Sequence, residues 1–293
     1  NDPFRILRSI VVSTFLIEVL GAAALAAQFA RLGHPDPVYL GIFHAISAFC
    51  NAGFSVFPDS LERFKGEPAL LGTFSVLIMT GGIGFIVLQD IARRIRGKKR
   101  ILSYHSRLML SITAVLVLTA SAGFWLLERD HAFAGMSGVD RAANALFQSV
   151  TPRTAGFNAV HQADLRQPTK FLTILLMFIG GAPGSIAGGV KIATAYVVLL
   201  VMLKKANERG EINAFRRRLT PETINGAVVY FIKAAFLLIF AAGVLSVVEA
   251  PRGADFGHIA FEVTSAFGTV GLSLDFTAGL SPGGKLVIIG TMF

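Results

Sequence analysis

Phe43-His-Ala-Ile-Ser-Ala-Phe-Cys-Asn-Ala-Gly-Phe-Ser55, Phe147-Gln-Ser-Val-Thr-Pro-Arg-Thr-Ala-Gly-Phe-Asn158 and Phe261-Glu-Val-Thr-Ser-Ala-Phe-Gly-Thr-Val-Gly-Leu-Ser273 are three versions of one short segment. Each opens on Phe, carries Ser or Thr in its middle and closes on a glycine followed by Phe or Leu. The closing glycines, Gly53, Gly156 and Gly271, lie 103 and 115 residues apart, and the second copy is one residue shorter. A pattern that returns three times at nearly one period marks an internal duplication. Around each copy the order is an apolar run, a polar turn, the short segment and a second apolar run, and a basic stretch then closes each of the first two copies.

The apolar runs are long enough to cross a membrane. Leu70 to Gln89 and Leu108 to Leu127 are each 20 residues without a charge, and about 20 residues span a hydrocarbon core. Phe171 to Val190 and Ile192 to Leu203 are uncharged around the single Lys191, and Ser9 to Leu32 and Ile224 to Val248 carry very few charges. Over all 293 residues the chain is 53% hydrophobic and only 15% charged, with a mean hydropathy of +0.63, where soluble domains average about 25% charged. Lipid is the main solvent.

The net charge of +9 is distributed by topology and is no footprint for nucleic acid. Arg93, Arg94, Arg96, Lys98, Lys99 and Arg100 fill one gap between apolar runs; Lys204, Lys205, Arg209, Arg216, Arg217 and Arg218 fill another; Arg5 and Arg8 precede the first run. Short basic loops beside spans stay cytoplasmic. Two crossings per repeat then put every basic stretch on one side and every glycine segment on the other. The predicted fold is an all-α multi-span membrane protein around a central ion pore, built as a span–pore helix–span unit at 1–100, a second at 101–218 with a broken last helix, and a span, pore helix and truncated last span at 219–293. The single cysteine, Cys50, excludes an internal disulfide. The chain opens on Asn1 without a signal-peptide pattern, and its last apolar run, from Lys285, stops at Phe293 after nine residues. It therefore reads as incomplete at both ends.

Each short segment is too short to cross and too apolar for a free loop, which suits a re-entrant element. Non-helical backbone survives at membrane depth only when buried in protein or lining water, so the three segments are expected to converge on one wet axis. A cation crossing there needs oxygen ligands that replace its water without trapping it, and ringed backbone carbonyls do this. Asn51-Ala52-Gly53, Thr154-Ala155-Gly156 and Thr269-Val270-Gly271 each place a polar residue two before the glycine, and glycine reaches dihedrals closed to side chains. Helix C-termini aimed at the axis would add about −0.5 charge each. Singly, each glycine reads as well as an ordinary turn; three in phase favour a pore.

A second signal interrupts the apolar stretch from Phe171 to Leu203. Gly180, Gly181, Ala182, Pro183, Gly184, Ser185, Ile186, Ala187, Gly188, Gly189, Val190 and Lys191 cannot hold a helix, since glycine costs about 1 kcal/mol and proline about 3. The segment reads as a mid-membrane loop that opens and closes below the filter, with a glycine-lined helix crossing as the alternative. Glu18 and Lys233 fall within spans and read as functional charges, as charges that snorkel to an interface, or as charges paired with a neighbouring helix. Glu262 reads as a helix N-terminal acid and Arg153 as a brace beside the pore. His44 and Cys50 lie on different helix faces and form no dyad. Gly82-Ile83-Gly84 reads as helix packing. No metal-ligand cluster, nucleophile motif or phosphate loop is present, so an enzyme is not expected.

These motifs, above all Thr-Pro-Arg-Thr-Ala-Gly-Phe-Asn at 151–158 and Pro-Gly-Ser-Ile-Ala-Gly-Gly-Val-Lys at 183–191, resemble the Trk/Ktr/HKT superfamily of cation transporters, the Ktr-type membrane subunit most closely. The resemblance runs through nearly the whole chain. It implies a potassium uptake pore of four span–pore helix–span units, with Gly53, Gly156 and Gly271 in the second to fourth filter positions and 180–191 as the intramembrane gate. It implies a multi-pass cell-membrane location, potassium as substrate rather than cofactor, a homodimer, and a cytoplasmic ring of nucleotide-binding regulatory subunits. The first unit and the Gly-Arg segment of the last span have no counterpart here, which leaves sodium transport as an alternative; Ile186 stands where Thr is usual. A secondary transporter binding an organic solute at broken helices is the reading from outside the family.

Overall fold

The computed structural model describes residues 3–97, 100–204, 212–214 and 217–293. Lys98, Lys99, Lys205, Arg209 and Arg216 of the basic stretches lie outside them. In chain order the elements are α1 (Pro3–Arg31), α2 (Pro37–Phe49), α3 (Pro68–Gly82), α4 (Phe85–Ile95), α5 (Tyr104–Glu128), α6 (Gly138–Val150), α7 (Gln167–Phe178), α8 (Ile192–Leu203), β1 (Ile212–Ala214), β2 (Arg217–Leu219), α9 (Pro221–Glu249), α10 (Phe256–Phe267) and α11 (Pro282–Met292).

α1, α5 and α9 are long and apolar enough to cross a membrane. Their outward faces carry exposed Val11, Phe15, Leu118, Leu126, Phe236 and Phe240, a composition that suits lipid and not water. After each comes a short helix, α2, α6 or α10, of 12 or 13 residues; at 1.5 Å per residue that is about 20 Å, short of the hydrocarbon thickness. Helix starts are written locally. Ser103, Ser137, Thr220, Asp255 and Ser281 cap α5, α6, α9, α10 and α11 by accepting a backbone N–H two or three residues on, which satisfies an otherwise orphaned donor.

A recurring tie joins the C-terminal end of each long helix to the start of the helix after the glycine segment. Arg31 at the end of α1 pairs with Glu67 before α3. Buried Glu128 at the end of α5 accepts the Arg166 N–H before α7 at 2.9 Å. Buried Glu249 at the end of α9 accepts the Ser281 N–H before α11 at 2.9 Å. The largest apolar cluster contains fully buried Phe29, Phe74, Phe147 and Phe157 and welds the first two repeats together.

Two local expectations are corrected. Leu70 to Gln89 is no continuous span: α3 ends at Gly82, Gly84 has φ 92°, and α4 leaves at a bend of 107°. Gly82-Ile83-Gly84 is thus a break and not a helix-packing site, because Gly82 spends its carbonyl on Ala182 N–H of the 180–191 loop at 2.9 Å. The second basic stretch carries an antiparallel hairpin pairing Ile212 with Leu219, Asn213 with Arg218 and Ala214 with Arg217, which the polar composition did not announce. The break between α7 and α8 falls where the glycines place it, so a continuous glycine-lined crossing is excluded.

Candidate functional site

The three glycine segments begin where α2, α6 and α10 end. Each hangs from its own helix by the same bond. Ala52 N–H donates to Ser47 O at 2.9 Å, Ala155 N–H to Thr151 O at 3.0 Å, and Val270 N–H to Ser265 O at 2.8 Å. With the N–H groups turned back into the helix, the intervening carbonyls are free to face the other way.

Backbone conformation repeats just as closely. Asn51, Thr154 and Thr269 have φ of 50°, 74° and 51°, and Gly53, Gly156 and Gly271 have φ of 72°, 75° and 91°, with negative φ at the residue between in each case. Alternation of hand along an extended segment turns successive carbonyl oxygens to one side, the arrangement that lines a cation filter. An L residue in this region costs about 1–2 kcal/mol, and Asn51, Thr154 and Thr269 accept that strain three times over, which is a mark of a functional segment.

The segments lie side by side. A β-carbon on Gly53 would stand 2.6 Å from the Ala155 carbonyl oxygen, and one on Gly156 would overlap the Val270 carbonyl oxygen. The second segment, flanked by both neighbours, has buried Thr154 and Ala155; Ala52 and Gly271 at the two free flanks are exposed. Glycines 53, 156 and 271 therefore form an arc in chain order. The C-terminal ends of three short helices converge behind it and bring their partial negative charge with them.

The 180–191 loop packs directly against this arc. Its neck is pinched by Gly180 N–H to Val190 O at 2.9 Å and Val190 N–H to Phe178 O at 3.1 Å. A β-carbon on Gly188 would lie 2.6 Å from Gly268 O, beside Thr269 of the third segment. Ala182 N–H bonds Gly82 O, and Gly184 O accepts Phe85 N–H at 3.1 Å, so Gly181, Pro183 and Gly184 sit in the elbow between α3 and α4, while Gly180 stays at the neck against Gly188 and Gly189. Lys191 Nζ donates to Ala187 O within the loop; the Ser185 hydroxyl has no partner, and Gly189 takes φ 65°. Buried Arg153, beside the second segment, reaches Gly180 O at 3.5 Å, which places it as a brace between segment and loop.

Single charges sort differently. Glu18 stands 3.9 Å from Cys50 Sγ at the end of α2, while Lys233 is exposed on α9. His44 bonds Leu40 O and Ser55 and does not engage Cys50. Glu262 is no N-terminal acid: it is the seventh residue of α10 and buried, with Ser273 and Thr277 donating to it. Beyond the second glycine segment His161 spans the repeats, with Nε2 2.8 Å from Asp275 and Nδ1 3.4 Å from Glu62. Burial alone lowers the His161 pKa, but Asp275 and Glu62 outweigh it and raise the value above that of a free imidazole.

This geometry meets the comparisons with known proteins. The family described as "TrkH: Cation transport protein" matches residues 5–293. The chain belongs to that family. It is 38% identical to the "Potassium/sodium uptake protein NtpJ" of Enterococcus hirae over 95% of this chain and 62% of that protein. It is 36% identical to the "Ktr system potassium uptake protein B" of Bacillus subtilis over 94% of this chain and 62% of that protein. Its fold matches the crystal structure of the potassium transporter TrkH from Vibrio parahaemolyticus with a TM-score of 0.77 at 21% identity, over 97% of this chain and 60% of that one. The chain thus spans less than two thirds of the length of these relatives. It is a multi-pass membrane protein of a transport family.

Proposed function

We propose that this chain supplies three filter segments of a potassium uptake pore. The observation that carries the reading is the side-by-side arc of Asn51–Gly53, Thr154–Gly156 and Thr269–Gly271, with alternating hand and N–H groups turned away from the carbonyl face. In this reading the carbonyls of 51–52, 154–155 and 269–270 replace the ion's water, a fourth segment closes the ring in the whole protein, and the 180–191 loop gates the path. The division into units at 1–100, 101–218 and 219–293 follows from the same reading. Relatives named for potassium uptake support the choice of ion; the relative named for potassium and sodium supports sodium as a second substrate.

The basic ends of α4 and α8, with Arg93, Arg94, Arg96 and Lys204, form the face on which a nucleotide-binding regulatory ring would dock. A homodimer belongs to the same proposal. The test is uptake by potassium-deficient cells carrying the full-length protein or its Gly156→Ser variant. Loss of uptake or of potassium-over-sodium preference is expected. Unchanged uptake with unchanged preference would overturn the reading.

A further inference from the structure

The residue that follows the opening Phe of each repeat is polar, chemically different each time, and buried: His44, Gln148 and Glu262. None bonds to the carbonyl face of the arc. Each instead ties its short helix to the chain just beyond the glycine segment.

In the first repeat the partner is the hydroxyl two residues after the glycine. His44 Nδ1 lies 2.8 Å from Leu40 O and therefore carries the proton, so in the neutral ring Nε2 is an acceptor 3.1 Å from Ser55 Oγ, whose proton it shares with Ser60 O at 3.2 Å. Ser55 Oγ in turn accepts Phe57 N–H at 3.1 Å. The third repeat builds the same joint from other atoms. Ser273, again two after the glycine, donates to Glu262 at 2.9 Å and accepts Phe276 N–H at 3.2 Å, while Thr277 donates to the other carboxylate oxygen. The second repeat moves the partner further out, where Gln148 and Gln162 exchange amide hydrogen bonds at 2.8 and 3.3 Å.

We propose that His44, Gln148 and Glu262 are positioning residues, one per repeat, that fix the outer end of each filter segment against its own helix. The proposal rests on the filter reading above. The inner end of each segment is already fixed by the Ser47, Thr151 and Ser265 carbonyls, and in the first two repeats the Ser47 and Thr151 hydroxyls also hold Phe54 O and Phe157 O, so the brace adds a further tie at the outer end. Carbonyl spacing discriminates between cations only while the segment resists closing on the smaller one. Selectivity should therefore suffer before throughput does. A buried carboxylate that accepts two hydroxyls is the strongest of the three joints, since hydrogen bonds to charged groups exceed neutral ones.

The experiment uses the full-length protein with Glu262→Leu, Glu262→Gln, Ser273→Ala and the Glu262→Leu/Ser273→Ala pair. Rubidium uptake and its competition by sodium are read alongside hydrogen exchange at residues 270–277 of purified protein. Glu262→Leu is expected to lower potassium-over-sodium preference about tenfold, as loss of a buried charged hydrogen bond should, with uptake retained and exchange faster. Glu262→Gln, able to accept one hydroxyl, should recover most of the preference. The pair should be no worse than Glu262→Leu alone, because both remove one joint.

Wild-type preference and wild-type exchange in Glu262→Leu would overturn the brace, as would effects of the two substitutions that simply add. If Glu262→Leu fails to reach the membrane, Ser273→Ala and Thr277→Val carry the same test from the partner side. A wild-type protein that moves sodium but not potassium refutes the ion assignment alone, and the brace is then read on sodium preference. If no cation moves, the exchange rates decide by themselves.

Discussion

The glycine segments and the 180–191 loop are both non-helical, glycine-rich and in contact, yet they are secured by different means. The segment at 154–156 is buried, hangs from Thr151 by backbone bonds and is locked from outside where Thr151 Oγ1 donates to Phe157 O at 2.7 Å; Ser47 does the same to Phe54 O at 2.7 Å. The loop is held mostly by backbone bonds to Gly82, Phe85 and its own neck, with Lys191 tying it to itself and the Ser185 hydroxyl without a partner. A segment wired through buried side chains has two or more bonds to break before it moves, whereas a loop resting on single backbone bonds to a helix elbow can exchange them. In the proposed pore the first keeps a spacing and the second changes place.

The largest effect should come from closing the space between adjacent segments. Gly156→Ala places a β-carbon onto the Val270 carbonyl at φ 75°, and the left-handed strain alone is about 1–2 kcal/mol; initial rubidium uptake is expected to fall more than about tenfold. Gly188→Ala comes next. Its β-carbon would press on Gly268 O at 2.6 Å, unseat the loop and raise cation leak without loss of preference, read as sodium-insensitive rubidium flux. Gly184 is the control within the loop: its φ is 71° but nothing lies near the added carbon, so Gly184→Ala should cost only the strain of about 1–2 kcal/mol and change flux far less than Gly188→Ala. Equal effects at 184 and 188 would break the distinction between a seated and an unseated loop.

The smallest effect sharpens the comparison at the outer mouth. His161 ties Glu62 and Asp275 across repeats, with Asp164 also facing it. Because its folded pKa is raised, the tie is complete below the ordinary imidazole value and fades as external pH rises through the higher folded one. Exposed pairs contribute little. His161→Ala should abolish a modest alkaline decline in preference, and a variant that retained the decline would assign it elsewhere.

The spans, the three glycine segments and the break at 180–191 were legible because each has a local cause: charge-free length, a repeated motif, five glycines and a proline. The elbow at Gly82–Gly84 was not, since Gly-Ile-Gly within an apolar run reads equally well as packing. What breaks it is the distant Ala182 N–H. Glu262 was misread for a similar reason: its partners lie 11 and 15 residues on, and only its alignment with His44 and Gln148 in the repeat would have revealed them.

The proposed pore depends on main-chain oxygens of three segments facing one ion path. Anomalous scattering from thallium or rubidium ions bound to the full-length protein tests this most directly. The expected result is a column of density in direct contact with the carbonyls of residues 51–52, 154–155 and 269–270, lost in Gly156→Ser. Cation density bound elsewhere, with those carbonyls turned away from it, would contradict the account.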